Sequence, residues 1–348
     1  MPYCHTLCPI VGQYSHFINN LMIYYMRYTK LIALGLLFIV LQSVCFGQLD
    51  DYYNRVKKNP EMDIKVLNDN IELVNVYKYQ IKLLHENKGL PLLAQQDSFA
   101  IAMYREYPML WESFYGINKY KELLKEDWEI LHNPNVIGIW LPFSFDIETT
   151  FDEIGNEFYK LTGYIPQGKW FLFYGTGQGI GDMGGNARFM WANFPVIGQK
   201  ESFVFNLPHE FHHMVFFKTN KSENNLLRYI IDEGIACYVN EIYWKNEYSS
   251  AEIILFENKD WKWALKNEKR IFEFAKQDLS SKDYEVINKY HSWGESIWED
   301  APYRLAYFIG YRIIKAYIEK YGEESLKDLY TMDCKQILDK SDYEISLK

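Results

Sequence analysis

Two apolar stretches with ionisable groups set inside them constrain the fold of this 348-residue chain most strongly. The first runs from Phe203 to Phe217 and contains His209-Glu210-Phe211-His212-His213; the second runs from Leu226 to Glu241 and contains Asp232-Glu233. Apolar residues at helical spacing on either side of such groups predict buried helices, and a buried carboxylate or imidazole needs a partner to offset its lost hydration. On a helix, residues i and i+4 differ by about 40° and one turn, so His209 and His213 can meet one ion at about 2.0–2.1 Å. Glu210 lies about 100° from His209 and can reach a metal-bound water without coordinating, which is the place for a general base. With only 8 His in the chain, random order would give a His-Glu-x-x-His pattern roughly 0.015 times, which favours a metal pair over accident. Asn206 is placed to cap this helix and Pro208 to occupy its first turn. His212, at i+3 from His209, is the alternative ligand, but choosing it leaves Glu210 and His213 without roles.

A zinc site with an open position takes three protein ligands. Glu233, twenty positions after His213, is the candidate third, against the plainer alternative that Asp232 and Glu233 face solvent. His209-Glu210-x-x-His213 followed by Asp232-Glu233-Gly234-Ile235-Ala236 resembles the gluzincin metallopeptidases, and is similar in wording to poorly characterised bacterial families of zinc-dependent proteases. The likeness covers about Asp146 to Tyr321. It implies an α+β, zincin-like fold with a small mixed sheet above the site helix and a mostly helical remainder, and Zn2+ on His209, His213 and Glu233. It also implies a tyrosine, in Tyr-x-x-Gly form, facing the oxyanion. Tyr307-Phe308-Ile309-Gly310 matches, with Tyr303 and Tyr311 as competitors. The chain departs from the alanyl aminopeptidases in lacking their Gly-x-Met-Glu-Asn segment, and Cys237 stands where an acidic partner of the Glu ligand would be. The resulting expectation is an exported zinc peptidase. Glu210 is its general base, Tyr307 its oxyanion donor, and its peptide or protein substrate adds to a sheet edge at Ala187 to Trp191. The alternative from another class is an exported binding or structural protein that keeps the zinc constellation without turnover.

Before Asp50 the only formal charges are Arg27 and Lys30. Met26-Arg27-Tyr28-Thr29-Lys30, the uncharged run Leu31 to Leu41, and small residues at Cys45 and Gly47 together predict a secretory signal over 26–47, cut before Gln48. Residues 1–25 then read as an upstream extension. The apolar run is short for a membrane span, and a lipid anchor on Cys45 is the less favoured alternative because Gln42-Ser43-Val44 fits such a site poorly. The net charge of -9 argues against nucleic acid as a partner. Residues 48–145 read as a helical N-terminal region, with helices over Met62 to Glu86, Ala94 to Tyr107 and Trp111 to Leu131, and 146–348 as the metallopeptidase domain. Within it Lys169 to Tyr174 reads as a strand. The glycine run from Gly175 to Gly185 is followed by another strand-like stretch, so it reads as a hairpin connection and not as a dinucleotide loop. His291 is placed to approach the cleft from a loop.

Overall fold

The computed structural model describes residues 64–132, 147–176, 179–183, 189–193, 200–245, 247–291 and 297–347. It opens with two strands, β1 (Ile64–Val66) and β2 (Ile71–Asn75), paired antiparallel with Ile64 opposite Leu73. This corrects the helix expected from Met62. Leu67, Asn68 and Asp69 all have left-handed backbone (φ 53°, 52° and 65°), which reverses the chain before a helix can propagate. The Asn70 amide N–H and side chain both donate to the Leu67 carbonyl, closing the turn. Only then does α1 (Val76–Asn87) begin, capped by the Asn75 side chain, which accepts from the Lys78 N–H.

Three helices follow: α2 (Leu92–Glu106), α3 (Pro108–Tyr115) and α4 (Tyr120–His132). The single helix expected over Trp111 to Leu131 is two, because Gly116 takes φ 79° and its N–H closes on the Glu112 carbonyl, ending α3. After α5 (Ile147–Thr162) come β3 (Gly168–Phe173), β4 (Ile180–Asp182) and β5 (Phe189–Asn193). The sheet order is β1-β2-β3-β5-β4: β2, β3 and β5 run parallel, while β1 and β4 are antiparallel to their neighbours. The sheet thus joins residues near 70 to residues near 190. β4 and β5 form a hairpin, and no helix opens after the glycines, so the hairpin expectation for that run holds over its described part.

The remainder is helical: α6 (Lys200–Thr219), α7 (Leu226–Trp244), α8 (Ser250–Ile253), α9 (Asn258–Lys276), α10 (Tyr284–Asn288), α11 (Leu305–Tyr321), α12 (Leu326–Leu329), α13 (Cys334–Ser341) and α14 (Tyr343–Ser346). The described residues are α+β, mostly helix with one small mixed sheet. α6 lies under the sheet. Phe211, about 200° round the helix from His209, packs edge-on to Trp170 of β3 and to Phe151 and Phe158 of α5. The Trp170 indole N–H points at Met214 Sδ, 3.3 Å away. Clamping that apolar face turns His209 and His213 away from the sheet, towards α7.

α7 and α11 cross at Gly234 and Gly310. A Cβ on Gly234 would run into the Gly310 carbonyl, and one on Gly310 into the Ile230 carbonyl oxygen. The two glycines of the sequence motifs Asp-Glu-Gly and Tyr-x-x-Gly therefore lie against each other, and their backbone contact brings Glu233 and Tyr307 to the same place. Among the described residues no helix is long and apolar enough to cross a membrane.

Candidate metal centre

α6 starts at Lys200, two turns earlier than expected, so Pro208 is inside the helix and not in its first turn. Asn206 does not cap it; its side-chain amide donates to the Ser202 carbonyl at 2.7 Å. The histidine spacing is unaffected, since both rings lie past the proline. α7 is capped by Asn225, whose side chain accepts from the Arg228 N–H, and is buried along nearly its whole length.

Where the two helices face each other, three donor atoms converge. His209 Nε2 and His213 Nε2 are 3.0 Å apart, and Glu233 Oε2 is 3.3 Å from the first and 3.6 Å from the second. Ligands at about 2.1 Å on a tetrahedral zinc lie about 3.4 Å from one another, so these separations suit a single ion. Glu233 is buried and its Oε2 has no hydrogen-bond partner, a costly state for a carboxylate unless a cation neutralises it. Burial would push the Glu233 carboxyl up, but His213 and His209 outweigh it and hold the group well below the usual carboxylate range. Burial would likewise push His213 down, yet Asp232 and Glu233 hold it well above the usual imidazole range. The site therefore has a strong demand for positive charge, and the donor set of two imidazoles and one carboxylate fits a divalent ion of the zinc type.

The surroundings are aromatic and acidic. The Tyr307 ring lies parallel to His209 with centroids 6.1 Å apart. Tyr311 is used elsewhere, its hydroxyl donating to Glu241 and contacting Ser250, and Tyr303 is 57% exposed, so of the three tyrosines left open only Tyr307 borders the centre. Glu210 is buried beside the histidines, and that burial raises its carboxyl despite their opposing charge. His291 does arrive from a loop, with its ring 5.5 Å from Tyr229 and 6.3 Å from Tyr307.

The sequence assigned no role to two neighbours. Tyr229, one turn before Glu233, turns a buried hydroxyl towards Glu233 and Tyr307; only its i-4 spacing from Glu233 could have signalled it. Asp232 supports the histidines: its Oδ1 lies 2.9 Å from His213 Nδ1 and 3.0 Å from His212 Nε2. The acidic partner missing at Cys237 is thus supplied next to the candidate ligand. Cys237 and Cys334 are both free and buried.

The strand expected to receive a substrate is corrected. β5 lies between β3 and β4, so the described part of Ala187 to Trp191 is interior, and the edge on that side is the three-residue β4. The Trp191 ring covers Gly179 and Gly181 on that edge hairpin.

The family model for gliding motility protein GldB matches residues 199–345. No curated protein and no solved structure matches the chain.

This match overturns the metallopeptidase expectation. The family that the chain resembles is one of gliding motility and not of gluzincin proteases, so the assignments as peptidase, hydrolase and metalloprotease are withdrawn, as is the alternative of an inactive zincin. The physical reason is that ligand spacing on two helices specifies a place to hold an ion. It carries no information about a scissile substrate, and the binding strand that would have supplied it is interior. The roles of Glu210 as general base and Tyr307 as oxyanion donor belonged to that expectation and go with it; their places beside the candidate centre remain. The preference for a cleaved signal over a lipid anchor finds no support either, since the matched family is one of lipoproteins. Cys45 lies outside the described residues.

Proposed function

We propose that the chain is an exported lipoprotein that serves a gliding-type motility apparatus, with Cys45 as the lipid-bearing residue, and that it uses a Zn2+ ion to cross-link α6 and α7. The family match over residues 199–345 carries the motility reading, and the convergence of His209, His213 and Glu233 carries the metal reading. In this role the ion ties two helices into one rigid face. Three protein donors leave one position on such an ion open, and its binding free energy adds to the stability of the fold, while holding a neighbouring protein requires a face whose shape does not drift. The acidic surroundings of Glu210, Asp232 and Glu233 supply the charge that the ion neutralises.

The test has two arms. Deletion of the gene in its own host is expected to abolish spreading over an agar surface, and the full-length chain to restore it, while Cys45→Ala restores little and is released from the membrane fraction. Purified protein is expected to carry about one zinc per chain by mass spectrometry, and His213→Ala or Glu233→Gln to lose it. Undiminished spreading of the deletion strain would end the motility reading, and zinc-free protein would end the metal reading.

A further inference from the structure

His212 is fully buried and has no place among the three converging donors, yet both of its ring nitrogens are engaged. Nε2 lies 3.0 Å from Asp232 Oδ1, and Nδ1 lies 3.0 Å from the Tyr330 hydroxyl. Tyr330 follows α12, 118 residues further along the chain, and is itself fully buried. Its ring is held by Tyr164 and Phe216, with centroids 4.8 Å and 6.5 Å away.

The hydrogens along this string can be assigned in one consistent direction. His213 turns Nε2 towards His209 and Glu233, so an ion there would take the Nε2 lone pair and leave the hydrogen on Nδ1. That N–H donates to Asp232 Oδ1. The same oxygen sits 3.0 Å from His212 Nε2, which must then carry hydrogen too, since two lone pairs facing each other would repel. His212 Nδ1 is left as an acceptor, and the Tyr330 O–H donates to it. Asp232 Oδ1 thus receives two N–H bonds and, as a carboxylate that can only accept, forbids the other tautomer of His212, while the Tyr330 hydroxyl completes the string as donor.

We infer that Asp232, His212 and Tyr330 are positioning residues for the metal centre, a hydrogen-bonded string that fixes the ring orientation and tautomer of His213 from the C-terminal end of the chain. This rests on the metal reading above. His212, His213 and Asp232 also form a set that could itself hold an ion. Its contacts, however, are a complete hydrogen-bond chain, whereas Glu233 Oε2 makes no hydrogen bond and stands 3.3 and 3.6 Å from the two facing imidazole nitrogens, which favours the ion at that other cluster.

The experiment measures zinc affinity of the full chain against a competing chelator, together with the melting temperature of the zinc-free protein. Asp232→Asn and His212→Leu are expected to weaken zinc binding roughly 10- to 100-fold, the usual effect of losing an outer hydrogen-bond partner of a ligating histidine. Tyr330→Phe should act in the same direction by less. His212→Gln, which still reaches Asp232 with an N–H, should bind zinc within a few-fold of wild type even where its zinc-free melting temperature falls with that of His212→Leu. A purely structural role would lower the melting temperatures and leave the affinities equal, which overturns the inference while the wild type still binds zinc. A second zinc equivalent that disappears in His212→Leu would also overturn it, by making His212 a ligand. Wild-type protein that takes no zinc would remove both this string's purpose and the metal reading.

Discussion

At the scale of the residue, Asp127 shows what a buried carboxyl does when no cation is at hand. Its Oδ1 accepts from the Tyr115 hydroxyl at 2.6 Å, the Thr176 N–H at 2.8 Å and the Thr176 hydroxyl at 2.7 Å, while Oδ2 has no partner. Burial outweighs these bonds and pushes the group up to about 7. The folded chain therefore holds this proton more tightly than the unfolded chain, so the stability it contributes is full below about pH 4 and is lost as pH rises through 7. Between pH 5 and 7.5 the loss is on the order of 2 to 3 kcal/mol. In urea melts at those two pH values Asp127→Asn should lack that share of the wild type's pH dependence; an unchanged dependence would show that the proton sits elsewhere. Nothing in Glu126-Asp127-Trp128 marked this residue, because its partner Thr176 is 49 residues away and is brought there by the sheet. His209, His213 and Glu233 were legible for the opposite reason: one pair is a matter of helix pitch, and the third stood out as a carboxylate in an apolar helix. Asp232 and Tyr330 were not, since their roles depend on how α7 is rotated and on where the chain returns after α12.

At the scale of the element, the crossing of α7 and α11 governs the centre. Gly234 and Gly310 let two backbones touch, and Glu233 and Tyr307 sit immediately beside that contact. Gly234→Ala or Gly310→Ala must push the helices apart, and overpacking of this kind costs about 1–3 kcal/mol or more. Gly234→Ala is therefore expected to lower the denaturant midpoint and also to weaken zinc binding, whereas Gly322→Ala, at a helix end with open space around it, should lower stability through its φ of 84° and leave zinc affinity alone. Equal zinc affinity in all three proteins would separate the crossing from the centre. The helices α2, α6 and α7 were largely readable from apolar spacing. β1 and β2 were not, because Ile64, Val66, Leu67, Ile71 and Val74 also satisfy a helical period over a short window. The turn chemistry of Asn68-Asp69-Asn70 was the signal that decides between them.

At the scale of the molecule, zinc held between α6 and α7 should link folding to metal supply. Free zinc at 100 times its dissociation constant adds about 2.7 kcal/mol to the folded state. Calorimetry should show a higher melting temperature with zinc than with chelator, and no such difference in Glu233→Gln. The sheet sets a different kind of constraint. β2 is complete once Asn75 has been made, but its parallel neighbour β3 begins only at Gly168, with five helices among the described residues in between. At a synthesis rate of about 5–20 residues per second, the nascent hairpin waits roughly 5–20 s with one row of amides unpaired. During that interval Ile71, Leu73 and Val74 are open to any passing strand, and a holding chaperone would have to shield them.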